Sequence, residues 1–568
     1  MYRELLTILM LLVALGGKSQ SKEGFTLFTD RDLYTSGESI LIKGYAPSDE
    51  PSGILNVDLF NRHGNLVSAI SLEMLNHQAN GFIHLQDTLS SGNYLLRTTT
   101  RTSLTQTVKE LFISNRFTGM TESNVVLRQT GIVPMIENST PVNQIEGIGK
   151  ANKTTLNSQF STLSSQLSTL TSQIQFDGVG NTYKPREKGH TKIRIPVDFL
   201  AQIDGNVLVD IAPVATEYTA SAFFTKSNPK YFRETGNEGI IISGTVTDLQ
   251  TEKPFNNALV YLTIPDSLPL FKYYTTGENG RFYFQLTNIH GKIPVVLQCL
   301  DKEKKRLLKI TLTPSDDLKN AVPSGDSRTF SPEFKKSMAK NVESLNFRKI
   351  FGSQELVIQV APAKKADTYP FYGIPTRVVR PKQFVDLLNF AEIARELLPQ
   401  VKFRTYNRIP TLQLFNFQRN NFFNEQPLVL LNGIPVSDLN VIKEMGTREI
   451  DRIDICQTER FFGNLCFQGV LAIYSTNCDN SRVMESDDLI KLNLEAIQPN
   501  ATLANPPETS SKVPDLRQVL LWNPTLKPEN TIELDFQTSD IRGNYRLILR
   551  GKNLNGQNFY KEQLFEVK

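Results

Sequence analysis

Short apolar runs that recur between glycines limit the fold of residues 25–114 more than any other feature of the chain. Such runs are typical of half-buried strands, and glycine permits the positive φ that tight turns between strands require. The runs cover 40–44, 54–60, 66–72 and 94–98, and the punctuating glycines are Gly37, Gly53, Gly64 and Gly92. This spacing predicts an all-β sandwich.

Two motifs in this stretch resemble those of macroglobulin-like domains. The first reads DRDLYTSGESI over residues 30–40 and is followed by Lys43, Gly44 and Tyr45. The second reads LSSGNYLLR over residues 89–97 and is similar to the penultimate strand of that family. The resemblance implies a macroglobulin-like β-sandwich over residues 25–115.

Residues 116–236 are predicted to contain a linker and then a second macroglobulin-like domain. Helical spacing of apolar residues indicates a short amphipathic helix, but the Ser and Thr around them favour a flexible linker leading into a strand, and both alternatives stand. The spaced residues are Phe160, Leu163, Leu167, Leu170 and Ile174. The later YKPREK, at 183–188, resembles the start of a macroglobulin-like domain, with Arg186 where that family has glycine.

Residues 238–312 resemble the carboxypeptidase regulatory-like domain, which is a small β-sandwich without peptidase chemistry. The elements of the resemblance are, in order, GTVTD at 244–248, Pro254, the apolar run 258–262, and TGENGRFYF at 276–284. The pair Asn279 and Gly280 predicts a tight hairpin turn between two strands.

Two helices are predicted after this domain. The connecting segment 313–362 contains a helical apolar pattern of Phe334, Met338, Val342 and Leu345. A second helix is predicted to begin at Pro381, because proline suits the first turn of a helix, and to end at Pro399. Its apolar face would comprise Phe384, Leu387, Leu388, Ala391, Ala394, Leu397 and Leu398.

The order of motifs over residues 363–479 resembles the α+β plug domain of TonB-dependent outer-membrane receptors. The motifs are PLVLLNGIPV at 427–436, IDRIDIC at 450–456, a Phe-Gly turn at 462–463 and GVLAIYST at 469–476. The positions that carry the resemblance are Pro427, Asn432, Gly433, Pro435, Gly463 and Gly469. Asn432 replaces the Asp common in that family, and Cys456 and Cys466 stand where cysteine is unusual.

The sequence given does not contain the barrel in which a receptor plug normally sits. Only 92 residues follow Thr476, whereas a barrel of about 22 strands needs roughly 220 residues at about 10 per strand.

Residues 480–512, rich in Pro, Ser and Thr, are predicted to be a linker. Residues 513–568 contain GNYRLIL, which repeats the earlier GNYLLR, and predict a further macroglobulin-like sandwich or part of one.

The first 19 residues predict export from the cytoplasm. Arg3, an apolar run at 5–15 and small residues at 16–19 are typical of a signal peptide, although a buried first helix is the alternative. The run is too short to span a bilayer, so we expect a periplasmic or outer-membrane-associated protein, peripheral to the membrane at most.

The charge balance of the chain argues against a nucleic-acid partner. Because 62 Lys and Arg nearly balance 58 Asp and Glu, a nucleic-acid partner is not expected.

No residue pattern predicts catalysis, a metal site or a cofactor. The chain lacks the His-Glu-x-x-His, Gly-x-Ser-x-Gly and phosphate-loop motifs, and also the Gly-Cys-Gly-Glu-Gln thioester of protease-trapping macroglobulins. Its histidines are His63, His77, His84, His190 and His290. We therefore expect a protein that is not an enzyme.

The four cysteines leave the disulfide connectivity open. Cys456 and Cys466 form a candidate disulfide across a hairpin built on the Phe-Gly turn, and Cys478 competes as a partner. Cys299 lies in a predicted strand, where we expect a buried free thiol.

Residues 403–424 concentrate aromatic and cationic side chains, and this composition allows two interpretations. The stretch either binds a partner or glycan from an exposed loop, or packs as ordinary strands and turns. The candidate binding residues are Arg404, Arg408, Phe415, Phe417, Arg419, Phe422 and Phe423.

Together these features predict a mainly β, multi-domain chain with serial β-sandwiches and one α+β plug-like domain. We expect a non-catalytic interaction or assembly protein that docks an outer-membrane or periplasmic protein through the plug-like domain. The first alternative is an accessory component of TonB-dependent nutrient uptake that binds a small ligand or glycan. The second is a macroglobulin-type protease inhibitor or an enzyme.

Overall fold

The computed structural model of the chain describes residues 25–100, 105–118, 171–214, 222–226, 235–236, 239–301, 306–313, 331–353, 355–359 and 369–568. These residues form many separate sheets, which confirms the predicted mainly β, multi-domain fold class. The chain divides into two compact units, Met1–Glu238 with Ser315–Val360 and Ile497–Lys568, and Gly239–Pro314 with Ala361–Ala496. The predicted signal at 1–19 lies outside the described residues, and so do residues 157–170 of the stretch 157–175 for which a helix or a linker is predicted. The last apolar residue of that stretch, Ile174, is described and is buried in the core of the second sandwich.

The first unit begins with a sandwich of two sheets. Its strands are β1 (Thr26–Thr29), β2 (Leu33–Thr35), β3 (Ser39–Tyr45), β4 (Ile54–Asn61), β5 (Leu66–Glu73), β6 (Gln78–His84), β7 (Gly92–Thr99) and β8 (Thr105–Ser114). One sheet has the order β1-β3-β6, and the other contains β5-β4-β7-β8, with β2 parallel to β8. Ile40 and Ile42 of β3 point into the shared core, as their alternation predicts.

Buried hydrogen bonds explain the sequence of the turn that precedes β3. The Tyr34 hydroxyl donates to the Asp30 carboxylate at 2.7 Å. The Glu38 carboxylate accepts from the Thr35 N–H, also at 2.7 Å. Gly37, between these residues, has a φ of 91°, a conformation that glycine adopts without steric cost. The Tyr-x-x-Gly-Glu pattern therefore encodes a specific turn.

The next described segment contributes to two sandwiches. It contains β9 (Gln175–Asp177), β10 (Thr182–Tyr183), β11 (Lys188–Arg194), helix α1 (Val197–Leu200), β12 (Val207–Pro213), β13 (Ala222–Lys226) and β14 (Thr235–Gly236). Strand β13 pairs with β8 and so extends the first sandwich. Strands β9 to β12 begin the second sandwich.

Arg186 occupies the glycine position in the corresponding turn of the second sandwich. Its φ is 59°, against 91° for Gly37. The Glu187 carboxylate accepts from the Lys184 N–H at 2.6 Å, which reproduces the first turn. This conformation costs a residue with a side chain about 1–2 kcal/mol. The Arg186 guanidinium compensates by bonding both carboxylate oxygens of Asp540 at 2.6–3.0 Å.

The second unit begins with a third sandwich, over the residues that resemble a regulatory-like domain. Its strands are β15 (Gly239–Asp248), β16 (Leu259–Ile264), β17 (Leu270–Thr275), β18 (Arg281–Leu286), β19 (Lys292–Leu300) and β20 (Leu308–Leu312). β15 pairs with β18 and β20, while β16 lies between β17 and β19. The turn at Asn279 and Gly280 thus joins strands of different sheets, and the hairpin predicted there is wrong.

The helix predicted in segment 313–362 is confirmed. It is α2 (Pro332–Ile350), and β21 (Leu356–Ile358) follows it in the first unit. The Ser331 hydroxyl caps the helix by accepting from the Phe334 N–H at 3.0 Å. Phe334, Met338 and Leu345 are buried, as the periodicity predicts.

The second unit continues with an α+β domain over residues 369–488. Its elements are β22 (Arg377–Val379), α3 (Phe390–Leu397), β23 (Val401–Tyr406), β24 (Ile409–Asn416), β25 (Asn421–Phe422), β26 (Leu428–Leu431), β27 (Ile434–Pro435), α4 (Asn440–Lys443), β28 (Ile450–Cys456), β29 (Arg460–Phe462), β30 (Leu465–Phe467) and β31 (Val470–Ser475). Three short 3₁₀ helices cover Pro381–Gln383, Thr447–Glu449 and Thr476–Cys478. The main sheet has the order β22-β28-β31-β26-β27.

The helix predicted from Pro381 begins nine residues later, at Phe390. The Asn389 side chain accepts from the Glu392 N–H at 3.0 Å and fixes the start of α3 as its cap. The 3₁₀ helix at Pro381–Gln383 is a separate turn, so two residues assigned to the apolar face, Phe384 and Leu388, are exposed.

The linker predicted at 480–512 is wrong, because this segment contains β32 (Leu489–Glu495) and β33 (Ala501–Leu503). β32 pairs with β19 and extends the third sandwich, while β33 pairs with β21 in the first unit. The Pro, Ser and Thr content obscured the alternation of Ile490, Leu492 and Leu494, which pack against the core of the third sandwich.

The last segment completes the second sandwich. Its strands are β34 (Leu521–Leu526), β35 (Thr531–Gln537), β36 (Gly543–Lys552) and β37 (Asn558–Val567). β12 lies between β34 and β36, and β11 lies between β35 and β9. Of the two alternatives for residues 513–568, the structure therefore shows part of a sandwich.

The two GNY strands have the same local geometry. The Tyr94 hydroxyl donates to the Ser90 carbonyl at 2.8 Å, and the Tyr545 hydroxyl donates to the Ile541 carbonyl at 3.1 Å. The glycine two residues before each tyrosine has a φ of 153° in one strand and 150° in the other. Each tyrosine hydroxyl thus bonds the backbone four residues upstream, as in the tyrosine corner of other sandwiches. The internal repeat is therefore confirmed.

Substitution of Arg186 separates backbone strain from ion pairing. Both Arg186→Gly and Arg186→Ala lose the Asp540 pair, but only alanine retains the cost of a positive φ. We expect Arg186→Ala to be less stable than Arg186→Gly by about 1 kcal/mol in chemical unfolding. An alanine variant as stable as the glycine variant contradicts the strained turn.

Candidate interaction surface

Strands β23, β24 and β25 form a three-stranded antiparallel sheet that is separate from the main sheet of the α+β domain. The stretch singled out at 403–424 corresponds to this sheet. Alternate residues of one face belong to the domain core, and they are Val401, Phe403, Leu412 and Leu414. The sheet is therefore anchored by one face, and we call the opposite face the outer face.

The outer face carries long cationic and apolar side chains. On β23 these are Lys402, Arg404 and Tyr406, which alternate with the core residues. Tyr406 pairs across the strands with Ile409, and these side chains are 74% and 66% exposed. Cross-strand neighbours on one face touch each other, so the two form an apolar tip.

A two-residue turn holds this tip. Asn407 and Arg408 connect Tyr406 to Ile409 with φ values of 47° and 67°. Two consecutive positive φ values are typical of the type I′ turn, whose twist matches that of a β-hairpin. The tip is thus a regular hairpin end with a defined register.

Three phenylalanines form a cluster next to β25. The Phe415 ring meets the Phe417 and Phe422 rings edge to face, with centroids 5.9 and 5.3 Å apart. The Lys402 ammonium lies 3.5 Å from the centroid of the Phe422 ring. Phe417 is 54% exposed. The aromatic side chains therefore combine exposed apolar surface with a cation–π contact.

The structure brings most of the predicted binding residues together but removes one of them. Phe423 is 5% exposed and packs in the domain core, because it follows the last strand with its side chain directed inward. Arg419 is exposed but is paired with Glu459 at 3.2 Å. Composition alone missed Lys402, Tyr406 and Ile409, which the alternation along β23 and β24 identifies.

Asn432, one of the plug-motif residues, joins two segments of the α+β domain. Its amide nitrogen donates to Ser475 Oγ and Asn480 Oδ1 at 2.8 Å and to the Asp479 carbonyl at 3.0 Å. Its amide oxygen accepts from the Ser475 N–H at 2.8 Å. A carboxylate would place an acceptor against three acceptors, so asparagine, rather than the Asp of the plug family, suits this position.

The substitution Asn432→Asp tests this network. We expect a loss of about 1–3 kcal/mol in the free energy of unfolding, because a buried donor is replaced by an acceptor. The exposed Asn424 provides a matched control, and Asn424→Asp should change stability by less than about 0.5 kcal/mol. Equal effects of the two substitutions contradict a structural role for the Asn432 amide.

The other plug-motif residues also lie at packing contacts. Pro427 and Pro435 are buried beside β26 and in β27. A Cβ atom on Gly433 would lie 2.2 Å from Pro269 of the third sandwich. Gly463 and Gly469 are similarly enclosed within the second unit. These residues shape the domain, and none of them belongs to the outer face.

All four cysteines are free thiols, which corrects the candidate disulfide between Cys456 and Cys466. Cys456 is buried at the end of β28 in the main sheet, whereas Cys466 is exposed on β30, opposite Phe461. The two thiols therefore belong to different sheets. Cys478 is partly exposed, and Cys299 is buried in β19, as predicted.

Thiol titration checks the cysteine assignment. Burial raises the pKa of the Cys299 thiol to about 12 and also raises the pKa of Cys456 and Cys478. A disulfide reagent should therefore react quickly only with the exposed Cys466, and Cys466→Ser should remove this phase. Protein denatured without reductant should release four thiols, and a lower count contradicts the assignment.

No group of three His, Cys, Asp or Glu side chains among the described residues is arranged to hold a metal ion. The His190 ring lies 2.8 Å from Asp535 on an exposed sheet face between β11 and β35. The absence of catalytic residues, metals and cofactors stays a prediction of the sequence.

Bacterial α2-macroglobulins are among the solved structures to which the chain is similar. The crystal structure of the Salmonella protein reacted with methylamine has a TM-score of 0.22 and 10% identity, over 96% of this chain and 40% of that chain. The trypsin-activated Escherichia coli protein has a TM-score of 0.22 and 9% identity, over 97% of this chain and 42% of that chain. Dimeric latent PorU from Porphyromonas gingivalis has a TM-score of 0.15 and 8% identity, over 51% of this chain and 34% of that chain.

The chain thus spans about two fifths of the length of these macroglobulins. At such TM-scores the fold assignment depends on the strand pairing of the chain itself. A scan against protein-family models and a search of curated proteins found no match. In the described part of the chain, no helix has the length and apolar character needed to cross a membrane.

Proposed function

We propose that this chain is a non-catalytic interaction protein of the cell envelope, which docks a periplasmic or outer-membrane protein through its plug-like α+β domain. One observation supports this more than any other: the β23–β25 sheet is anchored by its core face and leaves the apolar tip of Tyr406 and Ile409 exposed. Large apolar side chains concentrated on a rigid surface are typical of protein contacts.

The sandwiches would act as spacers that carry this domain. The signal-like residues 1–19 support a location outside the cytoplasm.

Site-specific photo-crosslinking in the producing cells tests the proposal. A benzophenone amino acid in place of Tyr406 should give a discrete protein adduct in envelope fractions, because this side chain would lie in the interface. Tyr283 on β18 is a matched control, a 57% exposed tyrosine in the third sandwich. The same substitution at this position should give no adduct of that mass.

Absence of an adduct at residue 406, or the same adduct at both positions, contradicts docking through this sheet. Hydrolytic turnover by the purified chain would contradict the non-catalytic assignment.

A further inference from the structure

The outer face of the β23–β25 sheet combines cations with an apolar tip and has no carboxylate of its own. Residues 401–424 contain Lys402, Arg404, Arg408 and Arg419 but neither Asp nor Glu. We propose that this face recognises an acidic protein surface with apolar side chains among its carboxylates. The inference rests on the proposed docking function and specifies the partner chemistry of that site.

Two of the cations are available to a partner. Arg419 is engaged by Glu459, and Lys402 covers the Phe422 ring. Arg404 and Arg408 are exposed and form no ion pair with another described residue. A guanidinium presents a planar fork of N–H donors that matches a carboxylate. Arg404 precedes Tyr406 by two residues, and Arg408 lies in the turn between Tyr406 and Ile409. Carboxylates and apolar groups of one partner would therefore be bound together.

The ring geometry favours a protein over a glycan. Sugars and nucleobases bind to open, flat ring faces. Here one face of the Phe422 ring is covered by the Lys402 ammonium at 3.5 Å. Phe415 lies edge to face with both Phe417 and Phe422, at interplanar angles of 82° and 78°. Such a cluster offers ring edges and aliphatic surface, which are typical of protein contacts.

Opposite charges across an interface steer association and select the partner, and the effect weakens as salt increases. A partner with acidic residues around an apolar centre is complementary to this face. A basic or neutral partner would leave Arg404 and Arg408 unpaired as their surroundings lose water, which is unfavourable.

Charge reversal tests the inference in the full chain. The crosslinker stays at residue 406, and adduct yield is compared between the native background and Arg404→Glu/Arg408→Glu. We expect the yield to fall roughly tenfold, because two favourable charge contacts become repulsive. Arg404→Lys/Arg408→Lys keeps both charges and should retain most of the yield.

A control variant carries the same change in net charge elsewhere. Lys253→Glu/Arg281→Glu alters two exposed cations of the third sandwich and should leave the yield within about twofold of the native background. Thermal unfolding of each purified variant verifies that the reversed face still folds. In partly permeabilised cells, addition of 0.5 M NaCl should also lower the native yield, since salt screens exposed charges.

The outcomes separate the inference from the proposed function. An adduct that persists in the folded Arg404→Glu/Arg408→Glu variant and is insensitive to salt leaves docking intact but overturns the acidic partner. No adduct in the native background overturns docking itself. If no protein adduct forms and the purified chain binds heparin-agarose only when both arginines are present, the face binds an anionic polysaccharide, and the inference is wrong.

Discussion

The second sandwich closes only when the last strands of the chain return to it, and the rest of the first unit depends on this closure. β11 and β12 each lie between partners, and most of these partners come from residues 521–552. Arg186 pairs with Asp540, and the buried Arg550 pairs with Asp210, so each of these ion pairs joins the two segments. The segment between β12 and β34 is consequently an insertion into one sandwich. The entropy of closing so long a loop grows only slowly with its length, so the sheet contacts can offset it.

The same C-terminal segment also binds the first sandwich. The Arg550 guanidinium donates to the Thr29 carbonyl at 3.1 Å, and Arg31 bonds Gln518. Arg31 and Arg550 are almost fully buried, and a buried charge is tolerated only when it is paired and hydrogen-bonded. Loss of β34–β37 would therefore expose the core of the second sandwich and leave the buried Asp210 without its Arg550 partner.

Local patterns predicted local structure well. The Gly-Glu turn, the alternation in β3 and the GNY repeat each depend on residues close in sequence, and the structure reproduces them. The start of α3 was missed because the Asn389 cap competes with Pro381 for the helix start, and spacing alone does not decide between them. β32 was missed because its partner, β19, lies about 200 residues away in sequence. Long-range pairing decides such elements, and composition does not reveal it.

On the candidate surface, too, the sequence predicted the location but not which side chains are exposed. Composition identified the stretch, but only the register of β23 and β24 distinguishes Phe423 in the core from Tyr406 at the tip. Phe462 of the β29–β30 hairpin has a different role, because its ring packs with Phe271 and Phe371 against the third sandwich. Its neighbour Phe461 is 69% exposed. That contact covers one side of the α+β domain within its own unit.

The α+β domain therefore needs no external partner to bury the Phe462 ring of this hairpin. The Tyr273 hydroxyl donates to the Asn464 side chain at 2.7 Å and accepts from its backbone N–H at 3.0 Å, which fixes the hairpin turn on the third sandwich. By contrast, the Tyr406 and Ile409 side chains at the tip of the β23–β25 sheet are 74% and 66% exposed. A partner that covers the outer face would therefore remove the Tyr406 and Ile409 side chains from water, and this removal favours binding.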